Sequence, residues 1–547
     1  MRAHVIARLW SRSRTVKHSE YGARSRWYGV TYVVTALALV RVALVAVLPY
    51  ERAVGLFDDD AYYYFGVARF IADGAGSTFN GLDNTNGYHP LWLGVLIPVF
   101  AVSSGQAALV WVAVLSGVLF IASGLLFDYV GRVVERPLII TVAATPVLVL
   151  AAAGPAFWFS GMETGLLLFL VLTVAAIFIR ADQLRAAWFG CNWALGLGVL
   201  MALVVLARLD AIFPMVLLGV LAAFNWRSRR RRELAQLILA LVTPPALILT
   251  GYFTLNLLAF DTLMPVSGQA KALGGASRNF EVILQFVAAP ILFGQPIWLG
   301  AIALVVVPVA VAIAPVERAL SAAARFSLVI LLGSVVTVAY YAVTSSWRLW
   351  PWYFYGAPVA LALAAPTLFD RISWGPRLWR LVAVATCGGT LMLVTANAIR
   401  VGHGIEPASR AFVERGPEVA TRLDGLIPVD VPIAMGDRAG SFGYHLDRPM
   451  VHLEGLVNSR DYLEALRTGH VTDFLAERRV GLYARADADP GQPLHAAVDG
   501  CRLFTEPEQG DGPKMSIVVC DADLMLHVRL ADGTSYRVWH YRPALNH

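Results

Sequence analysis

Charge is scarce in this chain, and lysine is the scarcest charged residue. Only 15% of the 547 residues are charged, 57% are hydrophobic, and the mean hydropathy is +0.61. This composition excludes an ordinary soluble domain, in which about 25% of residues are charged. The only lysines are Lys17, Lys271 and Lys514. Arginine therefore supplies nearly all of the positive charge, as in proteins from GC-rich genomes, and each lysine stands out.

What the chain has in place of charge is a series of long apolar runs. A helix needs roughly 20 residues to cross the hydrocarbon core of a bilayer. The candidate crossings are 29–49, 107–128, 137–153, 164–179, 191–207, 211–225, 235–258, 296–315, 326–345, 354–369 and 379–397. We expect an α-helical polytopic membrane protein with about eleven transmembrane helices. The short run 91–102, which contains Pro98, is expected to stay at the interface. If it crosses, the count becomes twelve or thirteen.

Arginine placement predicts the orientation. A net charge of +6 would suit nucleic acid, but the arginines cluster in short loops, which is the signature of cytoplasmic loops. We therefore expect a lipid bilayer and no nucleic acid as partner. With the basic N-terminus in the cytoplasm, alternating crossings place these arginine-rich loops inside: 132–136, 180–185, 227–232, 318–325 and 371–380. The loops 50–106 and 259–295 then lie on the outer face of the plasma membrane.

The chain changes character after the last apolar run. Residues 1–397 form the predicted transmembrane domain, and 398–547 are richer in Glu, Asp, Arg and His. Apolar runs of strand length lie at 432–436, 450–453 and 516–520, and a helix is expected at 439–444. These features predict an extracytoplasmic α/β domain. Its two cysteines, Cys501 and Cys520, lie in an oxidising compartment, which favours a disulfide between them.

An acidic triplet, Asp58, Asp59 and Asp60, follows the first predicted crossing. Acids are costly in hydrocarbon and tolerated at its edge, so such a cluster at a membrane face is usually functional. One of them can cap the aromatic helix predicted over 61–72, which is expected to lie along the membrane surface with its tyrosines at headgroup level. Three acids exceed what a cap needs. This excess indicates catalysis or metal binding.

Two stretches around the triplet resemble a known superfamily. Residues 59–64 read Asp-Asp-Ala-Tyr-Tyr-Tyr, and residues 85–92 read Thr-Asn-Gly-Tyr-His-Pro-Leu-Trp. In this position they are similar to the GT-C membrane glycosyltransferases, which include protein O-mannosyltransferases, lipid A aminoarabinose transferases and actinobacterial arabinofuranosyltransferases. The resemblance implies eleven to thirteen helices, two large outer loops and often an outer C-terminal domain.

The same resemblance implies an inverting hexosyl- or pentosyltransferase. Its donor would be a polyprenyl-phosphate sugar, and its acceptor a hydroxyl of a cell-envelope glycan, lipid or protein. In the superfamily an acid of the first outer loop is the catalytic base. By motif this base is Asp59, and Asp60 lies next to it. If the motif is aligned one residue earlier, the base is Asp58. A second acid is typical of the following outer loop, where Glu163 lies.

Transfer from a lipid phosphate needs a carboxylate that accepts the proton of the attacking hydroxyl and a positive charge that stabilises the departing phosphate. Lys271 in the loop 259–295 and Arg348 in an outer aromatic belt are candidates for the phosphate. Ordinary snorkelling at the interface explains Lys271 equally well, and the belt around Arg348 by itself is typical of interface anchoring. Two roles are open for Arg208 and Asp210 at a predicted outer helix end: an internal ion pair, which we favour, or part of the donor site.

The sugar itself requires hydrogen-bonding side chains. The candidates in the first outer loop are Asn84, Asn86, His89 and Tyr63. A divalent metal on Asp59 and Asp60 is an open alternative, because hard cations prefer carboxylates, and no other cofactor is expected. The competing function is a transporter or flippase of a lipid-linked sugar. Transporters, however, place acids near the bilayer midplane, whereas these acids lie in a loop.

Overall fold

The structure is a computed structural model that describes residues 27–542 except 151–157, 185–189, 276–277, 289, 293–294, 297, 316–317, 373, 403–409, 490 and 494–499. Its first part is a helical bundle. The helices are α1 Gly29–Val47, α2 Tyr50–Val54, α3 Asp59–Ala72, α4 Pro90–Val102, α5 Gly105–Val133, α6 Pro137–Leu150, α7 Thr164–Leu184, α8 Cys191–Ala207, α9 Ile212–Trp226, α10 Arg231–Phe260, α11 Val266–Ala272, α12 Phe280–Val287, α13 Leu299–Ala312, α14 Arg318–Thr344, α15 Gly356–Phe369 and α16 Pro376–Gly402.

In the described residues each predicted apolar run overlaps a helix of this bundle, and residues 151–153 and 297 of the predicted runs lie outside the described residues. Within the described residues, seven helices are long and apolar enough to cross a membrane, and α4, α8, α13 and most of α6 are shorter apolar helices. The chain is a multi-pass membrane protein, as predicted. The number of crossings and the interfacial placement of α4 stay predictions. The last run, predicted to end at 397, continues as helix to Gly402.

Loops predicted to lie in the cytoplasm meet at one end of the bundle. Arg136 Nε donates to Asp370 Oδ1 at 2.7 Å, and Arg325 Nη1 donates to Asn225 Oδ1 at 3.0 Å. These bonds join the loop after α5 to the one after α15, and the end of α9 to α14. The alternation of the loops between two faces, and which of those faces is cytoplasmic, stay predictions.

The C-terminal domain is built on a mixed sheet. Its elements are α17 Ala411–Leu426, β3 Ile433–Met435, α18 Gly440–His445, β4 Met450–His452, α19 Arg460–Thr468, α20 Val471–Glu477, β5 Leu482–Asp487, β6 Gln492–Pro493, β7 Cys501–Glu506, β8 Met515–Cys520, β9 Leu524–Arg529 and β10 Ser535–His540, after a short hairpin of β1 Pro290–Leu292 and β2 Gln295–Pro296 in the bundle. The strand order is β4-β3-β5-β10-β9, in which β3 is parallel to β4 and β5 and the other pairs are antiparallel. The predicted α/β fold is confirmed.

A second, antiparallel sheet of order β6-β7-β8 completes the domain. Cys501 and Cys520 are directly opposite each other on β7 and β8 and form a disulfide. The predicted disulfide is therefore present. It closes the β7–β8 hairpin.

Helix α3 differs from the expectation in two respects. Asp58 occupies the N-cap position but makes no capping hydrogen bond. Tyr62, Tyr63 and Tyr64 are only 0%, 6% and 8% exposed, so they do not lie at headgroup level. Helix α18 of the C-terminal domain packs on α3, and the aromatic face that resembles a membrane anchor is the core between the two domains.

Candidate active site

The acidic triplet lies where the N-terminus of α3 meets the C-terminal domain. Asp59 and Asp60 are in the first turn of α3, where the unpaired N–H groups and the helix dipole stabilise negative charge. Asp58 just precedes the helix, and its Oδ1 accepts a hydrogen bond from Arg410 Nη2 at 3.0 Å. The first acid of the triplet is therefore part of an interdomain ion pair.

Asp59 is also bound to the C-terminal domain. Its Oδ2 accepts the backbone N–H of Gly440 at 2.8 Å, and its Oδ1 accepts that of Ser441 at 2.7 Å. A Cβ at position 440 would lie 2.1 Å from the backbone oxygen of Asp59. Only glycine permits this approach. Both carboxylate oxygens of Asp59 are therefore engaged.

Asp60 is the acid of the triplet that remains available. Its side chain is partly exposed, and no hydrogen bond joins its carboxylate to the described part of the chain. Burial and the charge of Asp59 raise the pKa of Asp60 to about 7, although Lys271 acts in the opposite direction. A carboxyl with this pKa can exchange a proton at neutral pH.

Glu163 lies beneath α3, at the start of α7. The preceding Gly161 has φ +85°, and a Cβ at that position would be 2.9 Å from Ala61, so glycine lets the second outer loop pack against α3. Glu163 Oε2 accepts the hydroxyl of Tyr64 at 3.0 Å, and its Oε1 pairs with Arg208 Nη1 at 2.8 Å. Burial opposes ionisation of Glu163, but its positive neighbours hold its pKa below the usual value.

Arg208 is the centre of a buried ionic network. It is only 2% exposed, and its Nε also pairs with Asp210 Oδ1 at 2.9 Å. The predicted Arg208–Asp210 ion pair is therefore confirmed, and it extends to Glu163. The guanidinium carbon lies 4.2 Å from the centre of the Tyr353 ring, which is close enough for a cation–π contact.

Lys271 also contacts Tyr353. Its Nζ donates to the hydroxyl of Tyr353 at 2.8 Å. Burial opposes the charge of Lys271, but Tyr353 and Asp60 raise its pKa, so the ammonium is charged at neutral pH. Tyr353 lies in the short helical turn Pro351–Phe354, just before α15. Two cations, Lys271 and Arg208, thus converge on Tyr353.

The polar residues of the loop 84–89 have different environments. His89 Nε2 is 3.8 Å from Glu163 Oε1, and burial lowers the pKa of His89. Asn86 is buried, and its Oδ1 accepts the backbone N–H of Val266 at 2.9 Å, which ties the first outer loop to α11. Asn84 is exposed. The structure thus places His89 in the site, gives Asn86 a loop-bridging contact and leaves Asn84 at the surface.

Arg348 and Tyr63 are not brought into the cation cluster. Arg348 is exposed, and its guanidinium carbon lies 5.8 Å from the Trp350 ring centre. The hydroxyl of Tyr63 is 3.0 Å from Nε2 of His452 in the C-terminal domain. Tyr63 therefore contributes to domain docking.

No metal centre is evident in the described ranges, where no group of three or more His, Cys, Asp or Glu residues could hold a metal ion. Each oxygen of Asp59 accepts one backbone N–H, from Gly440 and Ser441. The divalent metal on Asp59 and Asp60 stays an open alternative. No step of the reaction is derived through a metal.

By sequence, the chain matches no protein-family model and no curated protein. By structure, it is similar to the oligosaccharyltransferase of Archaeoglobus fulgidus in the apo form, with a TM-score of 0.51 at 12% identity over 85% of this chain and 70% of that chain. The chain has the GT-C fold. Apo ArnT from Cupriavidus metallidurans is a further neighbour, with a TM-score of 0.48 at 15% identity over 83% of this chain and 92% of that chain. The fold predicted from the acidic motif is confirmed.

Several residues of this candidate site are not evident from the sequence. Tyr353 reads as one more aromatic of an interfacial belt, and Arg208 as half of a local ion pair. The partners of the triplet, Arg410, Gly440 and Ser441, are more than 350 positions away from it in the chain. The one available signal is the glycine-rich turn at 436–440, which marks a close backbone approach without naming its partner.

Proposed function

We propose that this protein is an inverting glycosyltransferase that moves one sugar from a polyprenyl phosphate to a hydroxyl of a cell-envelope glycan, lipid or protein on the outer membrane face. The observation that carries the proposal is that Asp60, whose carboxylate makes no hydrogen bond in the described part of the chain, lies within electrostatic range of Lys271, whose ammonium is bound to Tyr353. The GT-C fold, which an oligosaccharyltransferase also has, supports it.

In this proposal Asp60 is the catalytic base. The acceptor oxygen attacks the anomeric carbon, the bond from that carbon to the phosphate oxygen breaks, and the hydroxyl proton passes to the Asp60 carboxylate. A single displacement inverts the anomeric configuration. Asp60 suits this role better than Asp59, since the carboxylate of Asp59 already accepts two backbone hydrogen bonds.

The departing polyprenyl phosphate would be held by Lys271 and Arg208. Both side chains contact Tyr353, and a buried cation stabilises developing phosphate charge more strongly than a solvated one. Glu163 and Asp210 keep Arg208 in place through the ion pairs described above. His89, beside Glu163, is placed to hydrogen-bond the sugar. Arg348 would at most contact the donor near the surface.

The alternative of a transporter or flippase lacks support from the bundle. Asp128 is an acid within a described spanning helix, α5. Its carboxylate accepts the backbone N–H groups of Val30 and Thr31 at 3.3 and 2.9 Å and the Thr31 hydroxyl at 2.6 Å. Asp128 therefore caps the start of α1, which is a structural role.

The test uses the purified full chain in lipid nanodiscs with radiolabelled decaprenyl-phosphate sugars, among them arabinofuranose and mannose, and cell-envelope acceptor fractions. Wild-type protein should transfer one of these sugars, and Asp60→Asn should lower the rate about 10²- to 10⁴-fold. Asp73→Asn, at the exposed other end of α3, is the matched control and should behave as wild type. Undiminished transfer by Asp60→Asn would refute the proposed base.

A further inference from the structure

The parallel strands of the C-terminal domain end at an edge that faces α3. Strand β3 leads to α18, whose first N–H groups bind Asp59, and β4 ends at His452, which bonds to Tyr63. From β3 the chain continues to β4 on one side of β3 and later to β5 on the other. Open α/β sheets bind ligands at such a switch point, beyond the carboxyl ends of the strands.

Four acids lie at this edge, and we call them the edge acids: Asp437, Glu454, Glu506 and Glu508. Asp437 follows β3, Glu454 follows β4, and a Cβ on Gly436 would lie 2.1 Å from Glu506 Oε2. The side chains of Asp437 and Glu508 are 33% and 31% exposed. Glu454 and Glu506 are only 2% and 0% exposed. The cluster is thus open to solvent at one end and buried at the other.

Two of these carboxyl groups are buried with an oxygen unused. Glu454 Oε1 and Glu506 Oε2 have no hydrogen-bond partner among the described residues. The other oxygen of Glu506 accepts the Tyr483 hydroxyl at 2.7 Å and Arg485 Nη1 at 2.8 Å. Buried polar atoms are nearly always paired, and an exception calls for a missing partner. Both unused oxygens lie in the cluster that adjoins the active site.

The protonation of these groups indicates what kind of partner fits. Burial raises the pKa of Glu454 well above its usual value and that of Glu506 to about 8, in spite of Arg485. The ammonium of Lys514 donates to the backbone carbonyls of residues 507–509, so it does not neutralise the acids directly. A neutral carboxylic acid both donates and accepts a hydrogen bond, which matches a hydroxyl group.

We propose that the edge acids form a subsite for the hydroxyl groups of the acceptor sugar, with Glu454 and Glu506 as its buried floor. This inference rests on the proposed glycosyltransferase function. The charge of Asp60 acts on Glu454, and in this proposal the acceptor extends from the edge acids to the base. Cation binding fits less well, because the edge acids do not form, within the described residues, a group of three or more metal ligands.

Saturation-transfer NMR on the full chain in nanodiscs tests the subsite with methyl α-mannopyranoside, methyl α-arabinofuranoside and methyl β-glucopyranoside as probes. Glu454→Leu fills the same space without hydrogen-bonding atoms and should weaken binding of the preferred glycoside about tenfold. Glu454→Gln keeps a donor and an acceptor and should stay within about threefold. Glu477→Leu, at an exposed position on α20, is the control and should bind as wild type.

A second variant covers the case in which Glu454→Leu does not fold. Gly436→Ala forces the Glu506 carboxyl away and should also weaken glycoside binding. Unchanged binding in both variants, or no binding of any probe by wild-type protein, would overturn the subsite.

Consumption of radiolabelled decaprenyl-phosphate sugar is measured in the same preparations. Donor consumption without glycoside binding refutes the subsite but is consistent with the proposed glycosyltransferase function. Glycoside binding that depends on Glu454 but occurs without donor consumption refutes the transferase and leaves a sugar site at the edge acids.

Discussion

The carboxylate of Asp59 accepts the backbone N–H of Ser441 at 2.7 Å. A residue of the acidic motif is thus a link between two domains that are far apart in the chain. Asp58 makes a second link through Arg410. The three acids therefore have different roles. Asp58 and Asp59 bind the C-terminal domain, and Asp60 is available to act as a base.

Asp59→Asn should affect stability more than the chemical step. The amide oxygen still accepts one backbone N–H, but its NH₂ group faces the other, so the variant should lose about 1–3 kcal/mol of unfolding free energy. Asp60→Asn should retain the wild-type melting temperature and lose transfer. Thermal unfolding and transfer rate, measured on the same two preparations, check this. A melting temperature lowered by Asp60→Asn alone would contradict the division of roles.

Transfer should increase as pH rises through about 7. Burial and the charge of Asp59 raise the pKa of Asp60 to about 7, and the base must be deprotonated to accept the hydroxyl proton. Below that pH the protonated fraction grows and the rate falls. Asp59→Asn removes the neighbouring negative charge, so its acidic limb should move to lower pH. The dependence of kcat/KM on pH checks both expectations, and identical limbs would argue against Asp60.

Lys271→Met should raise the donor KM by about tenfold or more, because it removes a partly buried charge from the proposed phosphate site. The KM of the acceptor should not change. Lys271→Arg retains the charge and should recover part of the loss. Arg348→Gln is the comparison variant and should change the donor KM less than about threefold, since Arg348 is exposed and stacks on Trp350. A larger effect from Arg348 than from Lys271 would reverse this assignment.

Glu163→Gln should destabilise the bundle by about 3 kcal/mol, because it leaves part of the buried Arg208 charge without its partner. Asp210 still pairs with Arg208 and limits the loss. Glu233→Gln is the matched control, since its side chain is half-exposed and 3.9 Å from Arg229, and it should change the free energy by less than about 0.5 kcal/mol. Thermal unfolding in nanodiscs compares the two.

Gly440→Ala should loosen the contact between the domains. Its Cβ would lie 2.1 Å from the backbone oxygen of Asp59, and rigid backbone atoms cannot yield as a side chain can, so we expect a loss of about 1–3 kcal/mol. Gly425→Ala, within α17, has nothing within 4 Å of the added Cβ and should be neutral or slightly stabilising. Limited proteolysis and thermal unfolding report the difference. Equal behaviour of the two variants would contradict the close backbone approach.

The sequence predicts the bundle well because a bilayer imposes a strong and local rule. Each spanning helix must satisfy its own backbone hydrogen bonds and present apolar side chains over a fixed length. Each of the eleven apolar runs is accordingly a helix. The strands at 433–435, 450–452 and 515–520 and the disulfide between Cys501 and Cys520 follow from equally local patterns.

In the candidate site, too, local patterns identify some residues and mislead about others. Asp60, Glu163, Lys271 and His89 are candidates from the motif, its spacing and the rarity of lysine, and the structure brings them together. The tyrosines of α3 show where local patterns mislead. An amphipathic aromatic helix has the same appearance whether its apolar face meets lipid headgroups or another domain, and here Tyr63 meets His452.

The amino-acid sequence by itself determined a helical membrane protein of the GT-C fold, with an acidic motif after its first helix and an α/β domain at its C-terminus. Only the tertiary structure decided which acid of that motif is available. Its three carboxylates are chemically identical and adjacent, and what separates them is the set of donors that folding delivers from residues 410, 440 and 441. Contacts over such separations are decided by packing of whole domains, and no local pattern encodes them.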